Sequence, residues 1–94
     1  MVSAGRALAM GVLNAVTAPG DLLEAAHDDA RRIAVNAPLA VAATKQSVLE
    51  GLALRVEEAH RNEARLSDLV RASDDANEGV TAWAEKRTPV WRGR

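Results

Sequence analysis

The chain has 94 residues, with twelve Lys and Arg, thirteen Asp and Glu, and no Cys. This length allows at most one small domain, and the formal net charge of -1 excludes a general electrostatic attraction to nucleic acid. Without cysteine the chain has neither a disulfide framework nor thiolate chemistry. Although 48% of the residues are hydrophobic, the two tryptophans are the only aromatic residues, so any core must be thin.

The apolar segments are too short to involve a membrane. No apolar run approaches the roughly 20 residues of a membrane span, and the N-terminus lacks the charge and apolar order of a signal peptide. These observations predict a cytoplasmic protein with no membrane and no nucleic acid among its partners.

The first sixteen residues predict one short helix and one strand. Ser3 is a good N-cap and Gly11 a good stop, which together predict a helix over residues 3–10. The β-branched, apolar run at residues 12–16 predicts a short buried strand. Because no later segment has the pattern of a strand, its partners would have to lie outside this chain.

Three amphipathic helices are predicted next. The first follows a turn at residues 17–21 that ends in an N-cap, Asp21, and the second covers residues 38–51, with Asn36 as its cap and Pro38 in its first turn. The third covers about residues 54–72. The apolar stripe of the first helix consists of Leu22, Leu23, Ala26, Ala30, Ile33 and Ala34. That of the second consists of Val41, Ala42, Val48, Leu49 and Leu52, and the stem of Lys45 lies among them. That of the third consists of Val56, Ala59, Leu66, Leu69 and Val70.

The last 22 residues predict a short helix and an extended basic tail. Ser73 is the N-cap, Asp74 and Asp75 place negative charge in the first turn, and Lys86 and Arg87 place positive charge in the last. At helical spacing, one arc contains Ala76, Val80, Trp83 and Ala84, and Lys86 lies along its edge. The Trp83 ring and the Lys86 ammonium are therefore expected to project together.

This end of the chain has two interpretations. Trp83 could stack on a base while Lys86 and Arg87 bind phosphate, with Arg92 and Arg94 adding positive charge. Alternatively, Trp83 is a core residue and the cations only complete the helix dipole. Spacing alone favours the second interpretation.

Metal and catalytic sites are not predicted. Glu24 with His27, and Glu57 with His60, repeat the spacing of di-metal helical bundles, but both pairs lie off the apolar stripes and cannot converge in a core. The adjacent acids diverge by about 100° on a helix and are interpreted as solvated or first-turn residues; they are Asp28 and Asp29, Glu57 and Glu58, and Asp74 and Asp75. No histidine is placed beside a nucleophile.

Several motifs together resemble one known family. Asn-Ala-Pro-Leu-Ala at residues 36–40, Ser-Asp-Asp-x-x-Glu-Gly at 73–79 and Glu-Lys-Arg-x-Pro-x-Trp at 85–91 follow the order and spacing of the C-terminal third of the enoyl-CoA hydratase/isomerase (crotonase) family. The chain departs from the family pattern in two respects: Val12 and Leu13 reverse the usual order, and Trp83 stands where phenylalanine is common.

The resemblance implies a mainly α fold of four to five helices with one orphan strand. Residues 1–94 would form a single C-terminal segment, with residues 1–16 as the edge of the family's spiral core and residues 17–94 as its helical region for trimerisation and coenzyme A contact. It implies a homo-oligomer, or association with a full-length relative.

The resemblance also implies the chemistry. The parent activity would be hydration or isomerisation of enoyl-CoA thioesters in fatty-acid metabolism, with acyl-CoA as substrate and no tightly bound cofactor. The catalytic glutamates and the oxyanion hole match no residue here, so the chain alone is expected to be inactive, while Trp83 and Lys86 are expected to contact coenzyme A. A standalone helical interaction module is the competing hypothesis.

Overall fold

A computed structural model describes residues 1–94 as five α-helices without a β-strand. The helices are α1 (Ala4–Ala9), α2 (Leu22–Ala34), α3 (Pro38–Gly51), α4 (Val56–Arg71) and α5 (Asp74–Glu85). The predicted mainly α class is therefore confirmed, and the predicted helix limits are close to those observed. No helix combines the length and the apolar character that crossing a membrane would require.

The strand predicted at residues 12–16 is absent. The Val12 N–H instead donates to the Ala7 carbonyl at 3.0 Å, and Gly11 adopts a φ of 73° as the chain leaves α1. A strand exists only through the hydrogen bonds of a ladder, and this chain contains no second strand to provide them. Residues 12–16 therefore belong to an irregular connection between α1 and α2, despite their β-branched composition.

Local capping signals set several helix ends. Ser3 accepts a hydrogen bond from the Arg6 N–H at 3.2 Å, as predicted for an N-cap. The predicted Asn36 cap of α3 is wrong, because its side-chain amide donates back to the Ile33 carbonyl at 3.0 Å. The N-cap of α3 is Ala37, since Pro38 is already the first helical residue.

The chain divides into two compact units, residues 1–32 and 33–94. In the first unit, apolar residues of the connection after α1, including Leu13 and Val16, line a groove with Leu22 and Ala26 of α2. The apolar arc predicted for α2 is largely exposed, with Leu22 at 67% and Leu23 at 71%.

The second unit is organised by the packing of α3 on α4. Leu66 of α4 is 5% exposed and is the one large apolar side chain that is buried. Most half-buried residues of α3 that face α4 are small, including Ala40, Ala43 and Ser47, with the larger Leu39 among them. A Cβ placed on Gly51 would lie 3.8 Å from the Ala59 Cβ.

The stripe predicted for α3 lies mostly outside this contact. Val48, Leu49 and Leu52 remain 60%, 59% and 82% exposed. Close approach of two helices favours small side chains at the seam, so these large residues lie at its margin or outside it. Val48 still borders a groove that also includes Leu66 of α4.

A polar cluster also joins α3 and α4. The Glu50 carboxylate accepts hydrogen bonds from Gln46 at 2.7 Å and from Asn62, across the helix pair, at 2.6 Å. These bonds lower the pKa of Glu50, that from Gln46 having the largest effect. Asn62 of α4 therefore links the two helices.

Candidate functional site at the end of α5

The residues that end α5 form a compact hydrogen-bonded turn. The Arg87 N–H donates to the Ala82 carbonyl at 3.0 Å, and the Lys86 N–H donates to the Trp83 carbonyl at 3.2 Å. This is the pattern of a Schellman turn, in which the residue after the helix is left-handed. Lys86 occupies that position with φ 56° and ψ 38°. It therefore lies after the helix, and the prediction that it belongs to the last turn is wrong.

Arg87 is held by two carboxylates of α5. Its two terminal nitrogens contact the two Glu78 oxygens at 2.5 and 2.9 Å, and its Nε donates to Glu85 at 2.6 Å. The Val90 N–H also donates to Glu78, at 2.7 Å. Glu78 therefore fixes both the guanidinium that follows the helix and the backbone three residues later.

These bonds change the acidity of both partners. Hydrogen bonds from Arg87, and then from the Val90 N–H, lower the pKa of Glu78 from its usual 4.5 to about 2. The same carboxylates raise the pKa of Arg87 further. Both groups are therefore ionised throughout the neutral range.

The depressed pKa of Glu78 predicts a pH dependence of stability. Because its folded pKa lies below its unfolded value, the stabilisation by Glu78 is complete above pH 4.5 and is lost as the pH falls toward 2. Chemical denaturation of wild type and Glu78→Gln should therefore show a difference in unfolding free energy that shrinks across this window. Glu63→Gln, an exposed change on α4, is the control. A difference that stays constant down to pH 2 would contradict the assignment.

Trp83 lies on the rim of an open apolar groove. Its side chain is 84% exposed, so its interpretation as a core residue is wrong. The groove has a volume of about 610 Å³ and is formed by the start of α3, the end of α4 and one face of α5; its apolar lining includes Leu39, Ala40, Val70, Ala76, Gly79 and Val80. The buried apolar residue of α5 is instead Ala82, at 1% exposure.

The tail after α5 folds back on the helix. The Trp91 Nε1 donates to the Val35 carbonyl at 2.8 Å, and the Trp91 ring lies 3.4 Å from the position that a Cβ on Gly79 would occupy. The Arg94 carbonyl accepts hydrogen bonds from the N–H groups of Asp74, at 2.7 Å, and Asp75, at 3.3 Å. The tail therefore caps the first turn of α5, and the prediction of an extended tail is wrong.

Asp75 is the buried anchor of this tail. It is 2% exposed, and its two carboxylate oxygens accept the N–H groups of Arg92 at 2.7 Å and Gly93 at 2.9 Å. Asp75 lies in the first turn of α5, as predicted, but the prediction that it is solvated is wrong. Sequence reasoning also missed Trp91 and Glu78, and the glycine at position 79 was the available signal that a large ring lies close to α5.

The backbone of the predicted cationic cluster is divided between the two ends of α5. Lys86 and Arg87 lie at its C-terminal end beside Trp83, whereas the backbone of Arg92 and Arg94 binds its first turn. A helix of twelve residues is about 18 Å long. Trp83, Lys86 and Arg87 therefore share the C-terminal end of α5, whereas the backbone of Arg92 and Arg94 lies at its first turn. The Arg92 side chain nevertheless lies close enough to Glu78 to help lower the pKa of that carboxyl group.

The two Glu-x-x-His pairs do not form a shared site. Glu24 and His27 belong to the first unit, while Glu57 and His60 belong to the second. No three or more His, Cys, Asp or Glu side chains come together as a possible metal-binding group.

Comparison with known proteins gives one consistent result. The family model described as "Enoyl-CoA hydratase/isomerase" matches residues 1–94. A carnitinyl-CoA dehydratase from Salmonella arizonae is 42% identical over 98% of this chain and 37% of its own length. The crystal structure of enoyl-CoA hydratase EchA1 from Mycobacterium marinum superposes with a TM-score of 0.93 and 40% identity, over 99% of this chain and 37% of that chain.

A second solved structure agrees. An enoyl-CoA hydratase from Bacillus anthracis superposes with a TM-score of 0.95 at 31% identity, over 99% of this chain and 36% of that chain. The chain thus spans little more than a third of the length of the relatives it matches.

Proposed function

We propose, given that the chain belongs to the enoyl-CoA hydratase/isomerase family, that it serves the hydration or isomerisation of enoyl-CoA thioesters in fatty-acid and acyl-CoA metabolism. The observation that carries this proposal is the match over nearly every residue, in sequence and in backbone, to an enoyl-CoA hydratase. The related carnitinyl-CoA dehydratase is also named for a CoA thioester. We place the protein in the cytoplasm, with acyl-CoA as substrate rather than as a tightly bound cofactor.

The contribution of this chain would be contact with coenzyme A through Trp83 and Lys86. The Trp83 ring is exposed and can stack on a purine. The Lys86 ammonium forms no ion pair or hydrogen bond within the chain and can bind phosphate. Both residues lie at the C-terminal end of α5, three positions apart.

The 94 residues alone would not catalyse the reaction. Several of their glutamates already have structural partners: Glu78 and Glu85 bind Arg87, Glu50 binds Gln46 and Asn62, and Glu58 accepts the Arg55 N–H at the start of α4. Acid/base catalysis needs a carboxyl group beside the substrate together with donors for a thioester oxyanion. From the family resemblance, we expect both to lie outside these residues.

Exposed apolar side chains support an association with other chains. Leu22, Leu23 and Leu52 are 67%, 71% and 82% exposed, and apolar surface of this extent favours a partner. We assign these surfaces to a homo-oligomer, or to contact with a full-length relative.

The test is binding and turnover on the same protein. The purified chain should bind coenzyme A weakly in calorimetric titration and should not hydrate crotonyl-CoA above a no-protein control. Lys86→Ala should weaken the binding by about tenfold, the worth of one charge-assisted phosphate contact. Lys45→Ala, an exposed lysine of α3, is the matched control.

Two results would contradict the proposal. Turnover of crotonyl-CoA by the chain alone would show that catalytic groups lie within it. Equal affinity of wild type and Lys86→Ala for coenzyme A would remove Lys86 from the binding site.

A standalone helical interaction module is the second candidate, favoured by the same exposed leucines. Light scattering and thermal melting separate the two. A monodisperse species that melts cooperatively supports a module, whereas a non-cooperative or aggregating species supports a segment that depends on a larger assembly.

A further inference from the structure

Lys86 has an unusual backbone for a lysine. It is the one non-glycine residue in the chain with a positive φ, 56°. A residue that carries a Cβ is disfavoured in this region, which is why glycine usually follows a helix that ends in a Schellman turn. Residues held in such conformations are often found at functional sites, where the surrounding structure enforces them.

The surrounding contacts enforce this conformation from both sides. The residue before Lys86, Glu85, and the residue after it, Arg87, are joined to each other by the 2.6 Å bond from the Arg87 Nε. The same guanidinium is bound through its two terminal nitrogens to Glu78, two turns earlier on α5. The two residues that flank Lys86 are therefore both held in place, and Glu78 is the residue of α5 to which their bonds lead.

The same contacts leave the Lys86 charge free. Glu85 is the adjacent carboxylate and would be the natural partner of the Lys86 ammonium, but it is bound to Arg87 instead. Arg87 directs its donors to two carboxylates and to the Thr88 carbonyl. At this end of α5, Lys86 is thus the cation that remains available to an external anion.

We infer that Glu78 is a positioning residue: acting through Arg87, it holds Lys86 in the left-handed conformation and keeps the Lys86 ammonium unpaired, ready for a phosphate of a coenzyme A thioester. The choice of ligand rests on the proposed function, whereas the conformational part does not. Glu78 itself would not touch the ligand.

The first experiment measures the conformation without a ligand. In NMR spectra of the 94-residue chain, the Cα shift and the HN–Hα coupling of Lys86 should indicate positive φ in the wild type and in Glu63→Gln. Both should move toward averaged values in Glu78→Gln. Lys86→Gly should raise Tm by about 2–5 °C, because glycine relieves the disfavoured φ. An unchanged Lys86 backbone in Glu78→Gln would overturn the positioning role.

The second experiment measures coupling. Affinity for coenzyme A is determined for wild type, Glu78→Gln, Lys86→Ala and the double variant. Glu78→Gln should lose about threefold or more in affinity, and the loss should nearly vanish in the Lys86→Ala background, because contacting or coupled residues are non-additive. Additive losses would mean that Glu78 only stabilises the tail, and would overturn the inference.

The two experiments separate the failures. If the wild type binds no coenzyme A, the proposed function fails, and the conformational part is then decided by the Lys86 spectra alone. If coenzyme A binds but the coupling is absent, the proposed function stands and the positioning role fails. The Lys86→Gly variant adds a check, because greater stability combined with weaker coenzyme A binding is expected only if the lysine side chain serves a ligand.

Discussion

Replacing Leu66 by alanine is expected to lower the free energy of unfolding by about 2–5 kcal/mol, the range for removing a buried leucine side chain. Leu66 is 5% exposed on α4, and in residues 33–94 it is the one large apolar side chain that is buried. Its neighbours on α3 are small residues such as Ala40 and Ala43, which cannot expand to fill the space. Urea denaturation followed by far-UV circular dichroism measures the loss.

The matched control for Leu66 lies one turn further along the same helix. Leu69 is 62% exposed, so Leu69→Ala should cost below about 1 kcal/mol, because little apolar surface returns to water. Equal losses in the two variants would show that α4 does not pack on α3 in the way described. Since domains are commonly stable by only about 5–15 kcal/mol, Leu66→Ala alone could leave a substantial unfolded population.

Asp75→Ala is expected to cost about 2–3 kcal/mol and to release the tail. The change removes the acceptor of two backbone N–H groups, those of Arg92 and Gly93, and a buried donor without a partner costs about 1–3 kcal/mol. The tail should then detach so that water can satisfy these groups. Trp91 fluorescence, measured in a Trp83→Phe background, should shift to longer wavelength as its ring leaves Gly79.

Asp74 provides the control for Asp75, because it is the same residue type in the same helical turn. Its side chain is 68% exposed and approaches Arg94 only at 3.4 Å. Asp74→Ala should therefore cost about 0.3–1 kcal/mol, the value of a charge at a helix N-terminus, and leave the Trp91 emission unchanged. A Trp91 shift of equal size in both variants would mean that helix charge, rather than the buried carboxylate, retains the tail.

These two sites bear on the proposed coenzyme A contact. Leu66 holds α4 against α3, and these two helices with α5 form the groove beside Trp83. Asp75 holds one end of the tail, while Glu78 holds Arg87 and Val90 nearer to Lys86. Substitution of Leu66 or of Asp75 should therefore change the surface around Trp83 and Lys86, although it leaves both of those residues in place.

The sequence by itself determined the helices and the family. Ser3 and Ser73 accept the N–H bonds that begin α1 and α5, and Pro38 begins α3, because capping depends on residues within one turn of each other. The motifs at residues 36–40, 73–79 and 85–91 likewise identified the family that the comparisons confirm. The strand predicted at residues 12–16 was wrong, because a strand needs a second strand to pair with and composition alone does not provide one.

Only the tertiary structure decided which helix faces pack together and which charged side chains are paired. Side-chain periodicity predicted an apolar stripe on α3 but could not show that small residues such as Ala40 and Ala43 face α4 while Leu49 and Leu52 stay exposed. The burial of Asp75 depends on groups 17 and 18 residues away, and the bond from Trp91 to Val35 spans 56 residues. The left-handed Lys86 is supported by the pairing of Arg87 with Glu78, nine residues apart. Such contacts form only when the tail returns to α5, so spacing along one helix could place Trp83 and Lys86 at the same end but could not show what holds them there.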